Sequence, residues 1–237
     1  MMDIQSLSGD VWFLGKNEIG KVLEKIKHNA FGILSSVAKP SYGIVTGKDD
    51  VLMFDIDEKV NIEDELMLPV IRAQGCDRYS EAFPSKKVIY PYEFQNGDTS
   101  LIGLKDIEVK YPKLYKYILE NSNSLKERKD SRNSFGGREG WYGLVRFGQL
   151  EIFMKPKIVT PGEVRHNKLC IDNTKSGFTG ARVFAITIED ESVDIRYLLA
   201  LLNSKVVDFF MHHTASLKAG GYYSYSTSVL EKIPNYY

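Results

Sequence analysis

DIRYLLALLNSKVVDFFMHH, residues 194–213, carries the strongest period in the chain. Its apolar residues Ile195, Leu198, Leu199, Leu202, Val206, Phe209 and Phe210 recur at three-and-four spacing, the signature of a helix burying one face. Asp194 is placed to accept hydrogen bonds from the first-turn N–H groups as an N-cap. The helix must end before Gly220-Gly221, since glycine costs roughly 1 kcal/mol against alanine in a helix interior. GGYYSYS at 220–226 reads as a polar turn, and SVLEKIP at 228–234 closes the segment. Periodicity alone supports a core helix followed by a loop.

Upstream, Glu18–Ile33 has a second amphipathic pattern through Ile19, Val22, Leu23 and Ile26, stopping near Gly32. Residues 36–41, with Pro40, read as loop. Tyr42–Phe54 reads as a hairpin, with strands at 42–46 and 51–54 around a turn at 47–50 that needs glycine for a positive φ. Leu66–Tyr79 is an apolar strand running into a polar turn, and Lys87–Tyr92 is another strand. Leu104–Asn121 is a helix with Tyr111-Pro112 suited to a first turn. Ser124–Gly140 is polar and the most basic stretch, reading either as a solvated loop or as a DNA-contacting one. Ile152–Met154, Lys157–Thr160, Leu169–Asp172 and Ala181–Ile188 read as strands. The order α-β-β-β-β-α-β-β-β-β-α predicts an α+β fold: a short-stranded β-rich core, peripheral helices and a long C-terminal helix, in one continuous unit of 1–237.

The chain has 237 residues, 43% hydrophobic and 26% charged, which suits a globular protein. Lys plus Arg and Asp plus Glu number 31 each, so the net charge is zero and composition gives no support to nucleic-acid binding. Cys76 and Cys170 have no metal-ligand spacing, and two lone cysteines without an assigned disulfide suit a reducing compartment. The start MMDIQSLS lacks a leader pattern and no apolar run reaches a membrane span, so a cytoplasmic protein without membrane contact is expected.

Several fragments occur in a recurring order: Tyr42–Gly47 (YGIVTG), Val70-Ile71-Arg72 leading to Asp77-Arg78-Tyr79, Tyr90-Pro91-Tyr92, Tyr111–Tyr115 (YPKLY), Leu125–Arg128 (LKER) ahead of Trp141-Tyr142, and Lys155–Val159 (KPKIV). With LLALLNSK, the Gly-Gly-Tyr-Tyr turn and LEKIP, this series resembles the TaqI-like C-terminal specificity domain of adenine-specific DNA methyltransferases, a module also found in type IIG restriction–modification enzymes. The resemblance runs from about Tyr42 to Pro234. It implies recognition of a double-stranded DNA sequence, with a methyltransferase domain or subunit as partner. That family's catalytic domain binds S-adenosylmethionine and holds the flipped adenine with an Asn-Pro-Pro-Tyr motif. Neither feature is in this sequence; Pro234-Asn235 runs in the reverse order. The expectation is therefore a target-recognition domain alone, fragment or subunit, without a cofactor or catalytic residues of its own.

Such a domain needs cations for phosphates and hydrogen-bonding side chains for base edges. The phosphate candidates are Lys48, Lys126, Arg128, Lys129 and Lys218. The base-reading candidates are Arg72, Gln74, Arg78, Asn133 and Arg138, and Arg132 adds to the same basic stretch. Tyr222, Tyr223 and Tyr225 either touch DNA or pack their loop onto the core, with packing favoured for two of the three. Acid–lysine groupings at Asp55–Lys59 and at Glu151 with Lys155 lack the strand-borne acid-x-lysine spacing of a metal nuclease. His212 and His213 point apart on a helix, and His166 and His28 are isolated, so no metal site is assigned. The competing reading is a protein-interaction module that docks on a methyltransferase and contacts no DNA.

Overall fold

The computed structural model describes residues 17–95, 97–130, 133–180 and 182–237, the side chains of Asn17, Asn133 and Ser134 excepted. At its centre is a four-stranded antiparallel sheet in the order Cys170–Asp172, Lys157–Pro161, Val183–Ile188, Ala38–Tyr42. VFAITI at 183–188 is an apolar run without polar alternation, so both faces of the strand need cover. They have it. Ile158, Phe184 and Ile186 enter one core with Leu198, Leu199, Leu202, Phe210 and Met211. Their neighbours Val159, Val183 and Ala185 enter a second core with Ile71, Val88, Ile89, Ile107, Leu114 and Ile118. The period-two alternation of a strand thus divides the molecule into two cores on either side of one sheet.

The second core lies on a smaller sheet in the order Gly177–Phe178, Met67–Ile71, Lys86–Ile89, Met53–Asp55. The helices Leu104–Lys110, Pro112–Glu120 and Ser122–Lys126 cover it through Ile107, Leu114, Ile118 and Leu125, each fully buried. Pro112 opens its helix as the sequence predicts, and it also divides the single 104–121 helix in two.

Four local expectations are corrected. Residues 38–42 form a strand rather than a loop; Pro40 is accommodated because this strand is the sheet's edge. Residues 42–54 are not a hairpin. Gly47 has the positive φ, +73°, but the chain then enters a helical turn at Asp49–Leu52, and Met53–Asp55 pairs with Lys86–Ile89 instead. Ile152–Met154 belongs to a helix, Leu150–Met154, that buries Phe153 completely. The C-terminal helix is two helices, Ile195–Leu202 and Lys205–Thr214. Asp194 caps the first through the N–H groups of Arg196 and Tyr197, as expected. The break is made by Asn203, which is fully buried and bonded to both backbone groups of Leu169, accepting at 3.1 Å and donating at 2.9 Å. Ser204 then caps the second helix through Val207 N–H at 3.2 Å.

Candidate nucleic-acid interface

The segment YGIVTG positions the first group of candidates. Gly43 lies so close to the neighbouring strand that a Cβ would sit 2.1 Å from the Phe178 carbonyl oxygen, so only glycine fits. Ile44 and Gly180 then exchange a backbone hydrogen bond at 2.6 Å, which fixes where Thr46 and Gly47 emerge. The Thr46 hydroxyl donates to the Asp49 carboxylate, and Asp49 in turn faces Arg72 at 3.7 Å.

Arg128 is the hub of this group, and it corrects its assignment as a phosphate contact. It is only 4% exposed, and its guanidinium donates to four backbone carbonyls: Leu125 at 2.9 Å, Thr46 at 2.6 Å, Trp141 at 2.6 Å and Gly143 at 2.8 Å. Burial pushes its pKa down to about 10, which leaves it cationic at neutral pH. A guanidinium supplies five donors in a rigid fork, so one side chain can tie three separate segments together.

Around this hub the chain of contacts continues outward to exposed cations. The Arg128 guanidinium lies over one face of the buried Phe135 ring at 4.7 Å, and Arg138, exposed, lies over the same ring at 4.5 Å. Trp141, whose carbonyl Arg128 holds, carries the Lys126 ammonium over its ring at 4.5 Å. Arg72, Lys126, Arg128 and Arg138 are therefore linked through Asp49, Thr46, Phe135 and Trp141. Phe135 and Trp141 are not among the sequence candidates, because ring–cation pairing in an irregular segment leaves no periodic mark. Lys48 is paired with Asp50 at 3.2 Å, and Gln74, exposed on the turn Ala73–Gly75, donates to the Ser85 hydroxyl at 3.3 Å. Lys129 is exposed on the short strand Lys129–Asp130, which pairs with Asn133–Ser134; the Asn133 side chain and Arg132 lie outside the described residues.

Arg78 sits elsewhere. Its guanidinium donates to the Asn203 carbonyl at the break between the two C-terminal helices, joined by the Tyr79 hydroxyl at 3.3 Å. A cation at a helix C-terminus also meets the negative end of the helix dipole. Lys218 and Tyr222 form a second group. They face one another across the turn of a short antiparallel pair, Ser216–Lys218 with Tyr222–Ser224, around Gly220 and Gly221 at φ +74° and +75°. Tyr222 is 40% exposed under the Arg165 guanidinium, whereas Tyr223 stacks on His212 and Tyr225 is buried with its hydroxyl on Asn167. Two of the three tyrosines thus pack the loop onto the core.

The acidic groupings weighed as nuclease sites pair locally. Glu151 and Lys155 meet at 2.5 Å, and Asp55 pairs with Lys86 at 2.6 Å. Among the described residues no helix is long and apolar enough to cross a membrane.

Comparison with known proteins agrees with this architecture. The chain is 25% identical over 225 residues to the type II methyltransferase M.BstVI of Geobacillus stearothermophilus, covering 94% of this chain and 37% of that protein. It thus spans a little over a third of that relative's length. The fold matches the type IIL restriction–modification enzyme MmeI, solved in complex with DNA, at a TM-score of 0.54 and 12% identity over 86% of this chain and 25% of that one. It matches the type IIG restriction endonuclease BpuSI at a TM-score of 0.51 and 15% identity over 92% of this chain and 26% of that one. Residues 100–234, more than half of the chain, match the model of one family, and the chain belongs to the TaqI-like C-terminal specificity domains.

Proposed function

We propose that this chain recognises a DNA sequence on behalf of an adenine-specific DNA methyltransferase or restriction–modification enzyme, and that it supplies no methyl-transfer or cleavage chemistry itself. The observation that carries the reading is the cluster around Arg128: a buried guanidinium ties the end of the helix Ser122–Lys126 to the segments at Thr46 and at Trp141–Gly143, and Arg138 and Lys126 lie over aromatic rings at its rim. A guanidinium held over a ring has lost part of its rotational freedom before binding, which favours the bidentate contact to guanine worth about 1–3 kcal/mol. Lys48, Lys126, Lys129 and Lys218 serve as phosphate contacts, Arg72, Gln74, Arg78, Asn133 and Arg138 as base-edge readers, and Tyr222 as a flanking contact. S-adenosylmethionine belongs to the catalytic domain or subunit with which the chain works.

Four phosphate contacts imply a salt slope, d log K/d log[salt], of about −3.6, so the isolated chain binds weakly and loses DNA steeply as salt rises. Fluorescence anisotropy at low salt tests this. Lys126→Ala with Arg138→Ala should weaken duplex binding about tenfold or more while leaving thermal unfolding unchanged. Undiminished binding in that variant contradicts the assignment. The zero net charge favours a second reading, in which the same surface docks on a methyltransferase subunit. That reading predicts loss of subunit association with no duplex binding by either protein.

A further inference from the structure

The proposed DNA reading leaves one side-chain cluster unused. His166, Asp208 and His212 come together where the helix Lys205–Thr214 packs against the three-stranded ribbon of Glu163–Val164, Tyr222–Ser224 and Ser216–Lys218. Asp208 and His212 are four apart on the helix, so they share a face. His166 reaches them from the turn after Glu163–Val164. His166 Nδ1 lies 3.0 Å from Asp208 Oδ2, His212 Nε2 lies 3.6 Å from Asp208 Oδ1, and the three ligand atoms all fall within 4.8 Å of one another.

We propose that these three residues bind a divalent transition-metal ion of the zinc class. Ligand bonds of about 2.0–2.1 Å set tetrahedral ligand–ligand separations near 3.3 Å, and the 3.0 Å between His166 Nδ1 and Asp208 Oδ2, the carboxylate oxygen that Asn167 N–H leaves open, is close to that value. Two imidazoles and one carboxylate suit a borderline ion, whereas magnesium and calcium take all-oxygen sets. The carboxylate is already oriented from behind. Asp208 Oδ1 accepts the Asn167 N–H at 2.6 Å, and Asn167 is itself held by Leu202 O at 2.6 Å and by the Tyr225 hydroxyl. The His212 ring is fixed by Tyr223, stacked at 4.3 Å and 15°. Such outer partners are the usual supports of a metal site. The His166 side chain is 73% exposed, which gives an ion a route in and leaves a fourth position for water.

Loading has two local costs. His212 Nε2 now donates to the Arg165 carbonyl at 2.7 Å, so its proton must move to Nδ1. His166 Nδ1 likewise donates to the Asp208 carboxylate at 3.0 Å, so its proton must move to Nε2 before Nδ1 can bind an ion. An ion here clamps the helix to the ribbon that carries Lys218 and Tyr222.

Calorimetric titration of the full chain with zinc chloride in chelator-stripped buffer tests the site. Wild type should bind about one equivalent and unfold at a higher temperature with zinc than with chelator. His166→Ala removes an exposed ring without disturbing the core and should lower the affinity about tenfold or more and abolish the thermal shift. His212→Ala should do the same, and His28→Ala, far along the sequence, should behave as wild type. Folded wild-type chain that takes up no zinc, or equal binding by the His166→Ala variant, overturns the proposal.

Discussion

Arg128→Ala is expected to cost about 4 kcal/mol or more of folding stability, a large part of the roughly 5–15 kcal/mol that a domain possesses. The reason is the number of acceptors it serves. Four backbone carbonyls, from Thr46, Leu125, Trp141 and Gly143, lose their donor together, and the site is buried. Each buried polar group left unpaired costs roughly 1–3 kcal/mol, and water entering the vacated space recovers part of it. The Phe135 ring loses its inner cation as well. Arg128→Lys should recover only a fraction, because a single ammonium cannot span carbonyls arranged for a planar fork. Thermal and urea unfolding measure this directly. An exposed phosphate-binding arginine would behave oppositely: its removal would leave stability within about 0.5 kcal/mol and weaken DNA binding alone.

Asp172→Ala should be nearly as damaging, by about 3–5 kcal/mol. Lys157 and Asp172 are directly opposite on adjacent strands of the central sheet, 2.6 Å apart, and neither side chain is exposed at all. Burial pushes the Lys157 pKa down while the Asp172 charge and hydrogen bond oppose that fall. Removing the carboxylate leaves the ammonium, among the described residues, with the Phe153 carbonyl at 2.8 Å and the Lys155 carbonyl at 3.4 Å. The pair differs from the Arg128 cluster in a testable way. Replacing both partners with apolar residues removes the charge problem altogether, and such exchanges are often neutral or stabilising. Lys157→Met combined with Asp172→Leu should therefore regain most of the loss. Recovery stops short of complete, because Asp172 also accepts from the Thr174 N–H at 2.7 Å and the Thr174 hydroxyl at 2.5 Å. A double variant no more stable than Asp172→Ala would contradict this account of the pair.

Local chemistry was legible in the sequence. Asp194 and Pro112 act on N–H groups within their own helices, so their roles need no distant partner. The run at 183–188 announced a strand, and its lack of polar alternation is explained by two cores. What escaped was set by contacts far along the chain. The helix break at Asn203 depends on Leu169, 34 residues earlier, and periodicity runs straight through it. Arg128 reads as one more cation in a basic loop until Thr46, 82 residues away, is seen to be its acceptor. His166 looks isolated for the same reason, since Asp208 is 42 residues on. Pro40 concealed a strand because its acceptability depends on lying at a sheet edge, which only the topology reveals. The ordered fragments of the family resemblance carried the functional reading where composition, with its zero net charge, gave no help.

Selection from a randomised duplex library by the intact chain at low salt is the most direct test of the central claim. The account predicts enrichment of a short common sequence, and weakened retention of that sequence when Arg72 and Arg138 are replaced by alanine in a chain that remains folded. A folded wild-type chain that enriches no sequence, or that binds no duplex under these conditions, would contradict it.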